Sequence, residues 1–389
     1  WGEGAGDSMK IVIAPNAFKE CAASVAAARI FARAARKVFP RARILTCPVA
    51  DGGDGTQEAL METGCWKVRH VFARDPLGKS RRTSYLWNPR KKIAFIEMAK
   101  VNGLALVRPS RRDPWKTTTF GLGQVLNAAL KNKPRTILIG LGGSATHDAG
   151  CGMAQAMGAY FLDAKGRPIP WGAAGLSVLS RMDLRKLRKR LGKTRIIGWT
   201  DIRAPLAGAI HFAPQKGAAA KDLPALARVL ARFANAAARD AGKSVKRIPG
   251  GGAAGGLGAG LAVFFGAALQ SGFAGVARET GLARAIAGAD LVITGEGHVD
   301  EQSLMGKGVG EVCALAAKSK VTTLCVAGGV DKDALWKFPA SRVRFLSLTD
   351  SKTSRREAMR NFAKVAKRKL EKALREVISC GRGGSTASR

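Results

Sequence analysis

The grouping of the apolar residues constrains this chain most: five short, nearly unbroken runs, each followed by a glycine-rich turn or a helical stretch. They fall at 10–14, 43–49, 290–294, 322–327 and 343–348. Runs of that length without polar alternation are what strands of a parallel sheet need when helices cover both faces. Between the first two, Val25, Ala28, Phe31, Ala35 and Val38 recur every three or four residues up to Pro40, which predicts an amphipathic helix. Met359, Phe362, Ala366, Leu370, Leu374 and Val377 repeat that stripe and predict one final helix over 354–378. Two runs near the start and three near the end imply an α/β fold. Its first part is a discontinuous doubly wound parallel-sheet domain, flavodoxin-like or Rossmann-like, over 9–65 and 285–378.

The middle of the chain is punctuated differently. Segments 67–73, 82–87 and 93–98 are separated by Asp75-Pro76-Leu77-Gly78 and Asn88-Pro89, turn chemistry that joins antiparallel strands. Beyond them the pattern predicts a helix around 122–130, a strand at 136–139, a helix at 151–157, a strand at 195–199 and an alanine-rich helix at 221–241. These make an inserted mixed α/β domain over 66–284, with an interdomain cleft as the expected place for a ligand. Met9 reads as the natural start, and 1–8 and 379–389 as flexible ends.

With 389 residues and 46% hydrophobic content the chain can bury two ordinary cores, which excludes disorder for most of it. No stretch of 18 apolar residues lacks a charge or a glycine-rich break, and 1–8 do not lead as a basic region into an apolar one. Neither a membrane span nor a secretory signal is expected. Seven scattered cysteines without a C-x-x-C pair read as reduced small hydrophobes of a cytoplasmic protein. His70, His147, His211 and His298 lack any metal-binding spacing. The formal net charge of +37 raises nucleic acid as a partner. However, the basic residues are spread along the chain, gathering only at 185–190 and 364–372, and no nucleic-acid-binding signature accompanies them. The expectation is a basic surface that attracts anionic substrates, with no specific nucleic acid partner and no membrane.

Glycine gathers where apolar runs end, at 48–56, 140–148, 250–260 and 294–307. There a backbone must turn tightly or approach a phosphate without a Cβ in the way. Three of these segments mix Asp or Glu with Gly and Ser or Thr, a set able to hold Mg²⁺ through oxygen and phosphate through N–H. Any one of them fits equally as a strand-to-helix turn whose Asp or Ser caps the helix. Several together point to a large anionic ligand. Two familiar fingerprints nearly match. Residues 73–80 resemble a Walker A loop, but Ala73 replaces the first glycine and a strand-like stretch follows, so a hairpin turn is the reading. Gly140-x-Gly142-x-x-Ala145, after an apolar strand, expected to open a helix and followed by Asp163, supports an NAD-dependent oxidoreductase as the alternative.

In order along the chain, these segments resemble the motifs of the bacterial glycerate kinase family over 9–378. Residues 14–19 look like its APDSFK, 48–56 like PVADGGEGT, and 140–150 like GLGGSATNDGG. Likewise 212–217 look like FGPQKG, 252–260 like GAAGGLGAG, and 290–307 like DLVITGEGRIDxQSLxGK. The resemblance implies two α/β domains with a cleft between them and phosphorylation of D-glycerate by ATP with Mg²⁺, to the 2- or the 3-phosphate. Small molecules are then the partners, and a homodimer stays open. Several departures fall inside the motifs: Asn16 for Asp, Ala17 for Ser, His147 for Asn, Ala204 for Asn, Ala213 for Gly, Glu301 for a small residue and His298 for Arg. They keep a non-catalytic, anion-binding relative as a further alternative.

Within that resemblance Lys19, Lys216 and Lys307 are expected to neutralise phosphate or carboxylate, because an ammonium beside glycine turns is costly without an anion. Asp201 is the first candidate for general base and Asp51 for metal-linked positioning, so the expected catalytic set is Asp201, Lys307, Lys19 and Asp51. Asp51 and Glu296 are the expected metal carboxylates. The turns at Gly142, Gly143 and Ser144 and at Gly255, Gly256 and Gly258 are the expected phosphate contacts, with Lys216, Glu296 and Ser303 completing the ligand set. Asp54, Asp148 and Asp300 fit equally as helix caps.

Overall fold

The computed structural model describes residues 9–300, 308–331 and 342–382. Two expected site residues, Lys307 and Ser303, lie outside the described residues, as do 1–8 and 383–389 of the expected flexible ends. The chain divides into two compact units, Trp1–Ala50, Glu58–Thr63 and Val276–Arg389 against Asp51–Gln57 and Gly64–Gly275. The expected boundaries differ from these mainly at 276–284, which belongs to the first unit, and at Asp51–Gln57. That segment packs with the second unit because the Gly52 and Gly53 backbone lies against Trp199 and Gly142.

The strands are β1 Lys10–Ile13, β2 Arg43–Thr46, β3 Lys67–Arg74, β4 Ser80–Asn88, β5 Ile93–Glu97, β6 Thr136–Gly140 and β7 Tyr160–Leu162. They continue as β8 Arg181–Asp183, β9 Arg195–Trp199, β10 Ala268–Gln270, β11 Leu291–Glu296, β12 Thr322–Ala327 and β13 Val343–Ser347.

In the first unit the five apolar runs are the five strands of one parallel sheet, ordered β13-β12-β11-β1-β2. Counted within the unit this is the flavodoxin-like doubly wound order, and the winding reverses between β1 and β11. One face, with Ile11, Ile13, Ile293, Leu324 and Val326, packs on Ala27, Ala28 and Phe31 of the helix Ser24–Val38 and on Leu370 and Leu374 near the C-terminus. The other, with Cys325 and Ala327, packs on Val309 and Cys313 of the helix Gly308–Lys318. Burial on both sides explains the missing polar alternation. The expected single final helix is instead two, Arg355–Arg360 and Phe362–Arg382. The Ser354 hydroxyl caps the first by accepting the Glu357 N–H at 3.2 Å, and Asn361 leaves helical geometry before Phe362 buries its ring 4.6 Å from Phe18. The apolar stripe runs unbroken across both, so periodicity alone cannot see the break.

The second unit carries a six-stranded mixed sheet, β10-β9-β6-β5-β4-β3, and a separate β7–β8 hairpin. Strands β3, β4 and β5 run antiparallel as the meander, whereas β5, β6, β9 and β10 run parallel. Residues 73–80 are the β3–β4 turn, closed by the Asp75 N–H on the Lys79 carbonyl at 2.8 Å, with the Asp75 carboxylate accepting the Leu77 and Lys79 N–H groups at 2.9 Å. The core is built by Leu122, Val125 and Leu126 of the helix Phe120–Leu130, Phe233 of the helix Leu223–Ala241 and Phe264 of the helix Ala253–Phe265.

Candidate active site

Four adjacent parallel strands of the second unit end level with one another: Glu97 pairs with Gly140, Gly140 with Trp199, and Trp199 with Gln270. Ligands of parallel α/β sheets bind outside such carboxyl ends, where the loops are free to carry polar groups. Gly52-Gly53 lies over this row. The Gly142 N–H donates to the Gly52 carbonyl at 3.3 Å, and the Asp51 carboxylate accepts the Gly53 N–H at 2.9 Å. A Cβ on Gly142 would run into the Gly53 Cα and come within 3.0 Å of the Gly53 nitrogen, so only glycine lets the two turns touch. Gly142→Ala is therefore expected to push the segment carrying Asp51 off the strand ends and lower kcat/KM at least tenfold, while far-UV circular dichroism stays unchanged. A variant with normal kinetics would show that this contact does not set the site.

Asp201 follows β9 and is half-buried. Its two oxygens accept the Gly272 and Phe273 N–H groups at 2.9 and 3.1 Å, which caps the helix Gly272–Thr280 from a distant part of the chain. Burial pushes its carboxyl above the usual range and the nearby Asp51 carboxylate adds to the rise; the Ser271 hydroxyl and the two N–H groups oppose it. Asp51 itself is exposed.

The loop after β6 is held from below. Lys216, 2% exposed, donates from Nζ to the Ser144 hydroxyl at 2.9 Å and to the Thr146 carbonyl at 2.7 Å. Burial pushes its ammonium down to about 7, against the pull of Asp148. The buried Asp148 carboxylate accepts the N–H groups of Thr119, Gly150 and Gly152 at 2.8, 3.1 and 3.3 Å and the Thr119 hydroxyl at 2.9 Å. It thereby caps the helix Cys151–Ala156 and ties the loop to 117–119. His147 is fully buried, neither ring nitrogen has a partner among the described residues, and burial followed by the Lys216 charge pushes its imidazole down to about 3. It stays neutral. Ala254, Gly255 and Gly256 all adopt positive φ, and a Cβ on Gly255 would meet the Thr146 carbonyl. Strain at Ala254 is tolerated because the surrounding packing fixes it.

The expected phosphate turns thus stand differently. Gly143 is exposed and Gly142 half-buried, whereas Gly255 and Gly256 are buried behind the 146–149 backbone and Gly258 is buried against Gly250 and Gly251. Lys216 is enclosed with them.

On the first unit, the loops after β1 and β11 meet at the reversal of winding, where doubly wound sheets hold ligands. The Asn16 N–H donates to the Gly295 carbonyl at 2.8 Å, and the Asn16 amide approaches Glu296 at 3.5 Å. Phe18 is buried against Phe31 and Phe362 and closes a tight loop with Ala22, so its neighbour Lys19 is held out in solvent. His298 pairs with Asp331 at 3.0 Å.

The dinucleotide reading fails on local structure. Residues 141–150 remain irregular and the next helix begins only at Cys151, so the Gly140–Gly142 turn does not open a helix. Asp163 follows β7 of the separate hairpin, where it caps its own turn through the Lys165 and Arg167 N–H groups. One residue went unnoticed in the sequence: Glu97, 1% exposed, accepts the Gly55 and Gln57 N–H groups at 3.2 and 2.7 Å and pins the Asp51–Asp54 turn. A carboxylate closing the apolar run Ile93-Ala-Phe-Ile was the available signal.

The profile of the glycerate kinase family matches residues 11–380. A glycerate kinase of Halalkalibacterium halodurans is 40% identical over 324 residues, 82% of this chain and 85% of that protein. A glycerate 2-kinase of Escherichia coli K12 is 40% identical over 329 residues, 84% of this chain and 86% of that protein. A crystal structure assigned as glycerate kinase 2 from Salmonella typhimurium LT2 superposes with a TM-score of 0.81 at 37% identity, covering 97% of this chain and 100% of that one.

Proposed function

The chain belongs to the glycerate kinase family, and on that premise we propose that it carries the γ-phosphate of ATP to a hydroxyl of D-glycerate with Asp201 as general base. As a member of the family it is a kinase acting on a hydroxyl of glycerate. The observation that supports the assignment of roles is the level row of strand ends, Glu97, Gly140, Trp199 and Gln270, with the Gly142–Ser144 turn, Asp51 and Asp201 in the loops over it.

Phosphoryl transfer asks a protein to align an alcohol with the γ-phosphate, to neutralise charge and to accept a proton late. Asp201 suits the last task. Its carboxyl is raised by burial and by Asp51, which strengthens it as a base, and its hydrogen bonds to the helix Gly272–Thr280 fix its direction. The Gly142–Ser144 turn supplies the Gly143 and Ser144 N–H groups to phosphate, that of Gly142 being held by the Gly52 carbonyl. Lys216 serves that turn by holding Ser144 and Thr146, and Gly255 and Gly256 lie behind the 146–149 segment that follows it. Lys19 and Lys307 supply positive charge to phosphate or carboxylate, Ser303 a hydroxyl, and Glu296 a carboxylate.

Among the described residues no three carboxylate, imidazole or thiol groups gather to hold a metal unaided. That suits Mg²⁺, which keeps several waters and is bound by one or two carboxylates plus substrate phosphates. The exposed Asp51 beside Asp201 fits that need, with Glu296 as the second candidate. Bound there, Mg²⁺ would supply neutralising charge to the phosphates. Among the described residues no helix is long and apolar enough to cross a membrane, and the buried cysteines Cys47, Cys151, Cys313 and Cys325 are free thiols. We place the enzyme in the cytoplasm.

The test is a mixture of protein, ATP, Mg²⁺ and D-glycerate, followed by ADP release and by phosphorus NMR. ADP release that depends on D-glycerate, with a new phosphate-ester resonance, is expected, and the same spectrum separates the 2-phosphate from the 3-phosphate. ADP release indifferent to D-glycerate would sink the reading.

A further inference from the structure

Strand β3 is the outer strand of the second unit's sheet, and it carries the most exposed large apolar side chain among the described residues. Phe72 is 74% exposed and Val68, four residues earlier, is 40% exposed. Side chains alternate along a strand, so Val68, His70 and Phe72 share one face and Lys67, Arg69, Val71 and Ala73 the other.

The backbone pattern shows which groups the edge leaves open. The turn closes with Asp75 bonded to Lys79, and hydrogen-bonded pairs alternate along an antiparallel ladder. Residues 73, 71, 69 and 67 therefore bond to β4, and residues 74, 72, 70 and 68 turn their N–H and C=O groups outward. The outward N–H of Arg74 is taken by the Gln124 side chain at 2.8 Å. Val68, His70 and Phe72 are left, and they are the residues whose side chains share the apolar face.

We propose that β3 is a self-complementary edge through which two copies of this chain pair antiparallel, centred on His70. Pairing His70 with the second copy's own His70 sets Val68 opposite Phe72 twice and covers both exposed apolar side chains. On the other face Lys67 falls opposite Ala73 and Arg69 opposite Val71, so no two cations stand directly opposed. Neighbouring registers are worse. A shift toward the N-terminus sets Arg69 against Arg69, and like charges directly opposite destabilise a sheet. A shift toward the C-terminus sets Val68 against Arg74, whose outward N–H already bonds Gln124.

Edge strands are usually blunted by charge to prevent such pairing. In β3 the cations at 67 and 69 instead occupy positions that face small or apolar partners in the one register that also pairs the exposed apolar residues. Two six-stranded sheets would join into one continuous sheet across a two-fold axis perpendicular to it. The +37 charge on each copy opposes association at long range, so screening should strengthen the pair.

Sedimentation of the full chain over about 1–100 μM, in 0.05 M and 0.5 M salt, tests this. The expected result is a shift from 40.9 kDa toward twice that mass, with the midpoint at lower protein concentration in high salt. His70→Pro removes an outward N–H without touching the bonds to β4 and is tolerated on an edge strand, so it should leave a folded, active monomer. Phe72→Lys should weaken the pair at least tenfold, and it decides the matter if His70→Pro fails to fold. Adding Val68→Glu to Phe72→Lys sets the new carboxylate of one copy opposite the new ammonium of the other only in this register, and should recover part of the loss. A monomer at every concentration in 0.5 M salt overturns the proposal. So does a dimer that ignores Phe72→Lys, which would lie on another surface, or a double variant no tighter than Phe72→Lys alone, which would refute the register.

Discussion

Asp201→Asn is expected to lower kcat about a hundredfold or more while the protein remains folded, the scale on which a positioned general base contributes. Asparagine keeps the side-chain volume and one acceptor oxygen for the N-terminus of the helix Gly272–Thr280, and loses the second. The lost acceptor costs about 1 kcal/mol. Against that, the variant removes a half-buried charge that Asp51 repels. A carboxyl raised above its unfolded value stabilises the fold fully only below the unfolded pKa, and that contribution is lost as pH rises through the raised value. At neutral pH the wild-type protein therefore already bears a cost that asparagine relieves, and the two effects oppose one another. The melting temperature should move by only a few degrees. Stopped assays of ADP release alongside thermal melts check this. Near-wild-type kcat would remove Asp201 as base and leave Asp51 as the next carboxylate to test, whereas a collapsed melting temperature would mean that the helix cap dominates and that the loss of rate says nothing about proton transfer.

The parts of this fold legible in sequence are those whose physical cause is local. The parallel strands of the first unit announce themselves because burial on both faces removes polar alternation from the five runs, and the meander shows because Asp75-Pro76-Leu77-Gly78 carries turn chemistry. The site shows only in part. Asp201 stands out by its motif, yet its restraint comes from Gly272 and Phe273, 71 and 72 residues away, a pairing that no spacing predicts. Lys216 is visible as a lysine beside a glycine. Nothing local says that its ammonium is sealed under Ser144 and Thr146, because that depends on how the Pro214–Lys216 turn docks 70 residues back along the chain. Residues 250–260 read as a glycine-rich phosphate turn, whereas they open the buried helix Ala253–Phe265, whose start is bent by three left-handed residues so that Gly255 can lie on the Thr146 carbonyl. The break at Asn361 stays hidden for the opposite reason, since the apolar stripe on either side is continuous.

Replacing the buried ammonium separates support of the phosphate turn from direct charge. Lys216→Met keeps the length of the side chain and leaves little cavity, so packing changes little. It removes the bonds to the Ser144 hydroxyl and the Thr146 carbonyl, and with them the strut under the Gly142–Ser144 turn. kcat/KM should fall about a hundredfold, since a loosened turn costs transition-state contacts on that scale. Stability should report the ammonium separately. Burial pushes Lys216 from 10.5 down to about 7, so between those values the unfolded chain holds a proton that the folded one has released. Stability therefore rises with pH across that window, by about 1.4 kcal/mol per unit at most, and is flat in this group below about 7, where both states are protonated. From pH 7 to 9 the wild-type unfolding free energy should thus gain about 2 kcal/mol on that of Lys216→Met, as measured by urea titration. Parallel profiles would mean that Lys216 titrates normally and is hydrated, which would return it to the group of lysines open to a ligand.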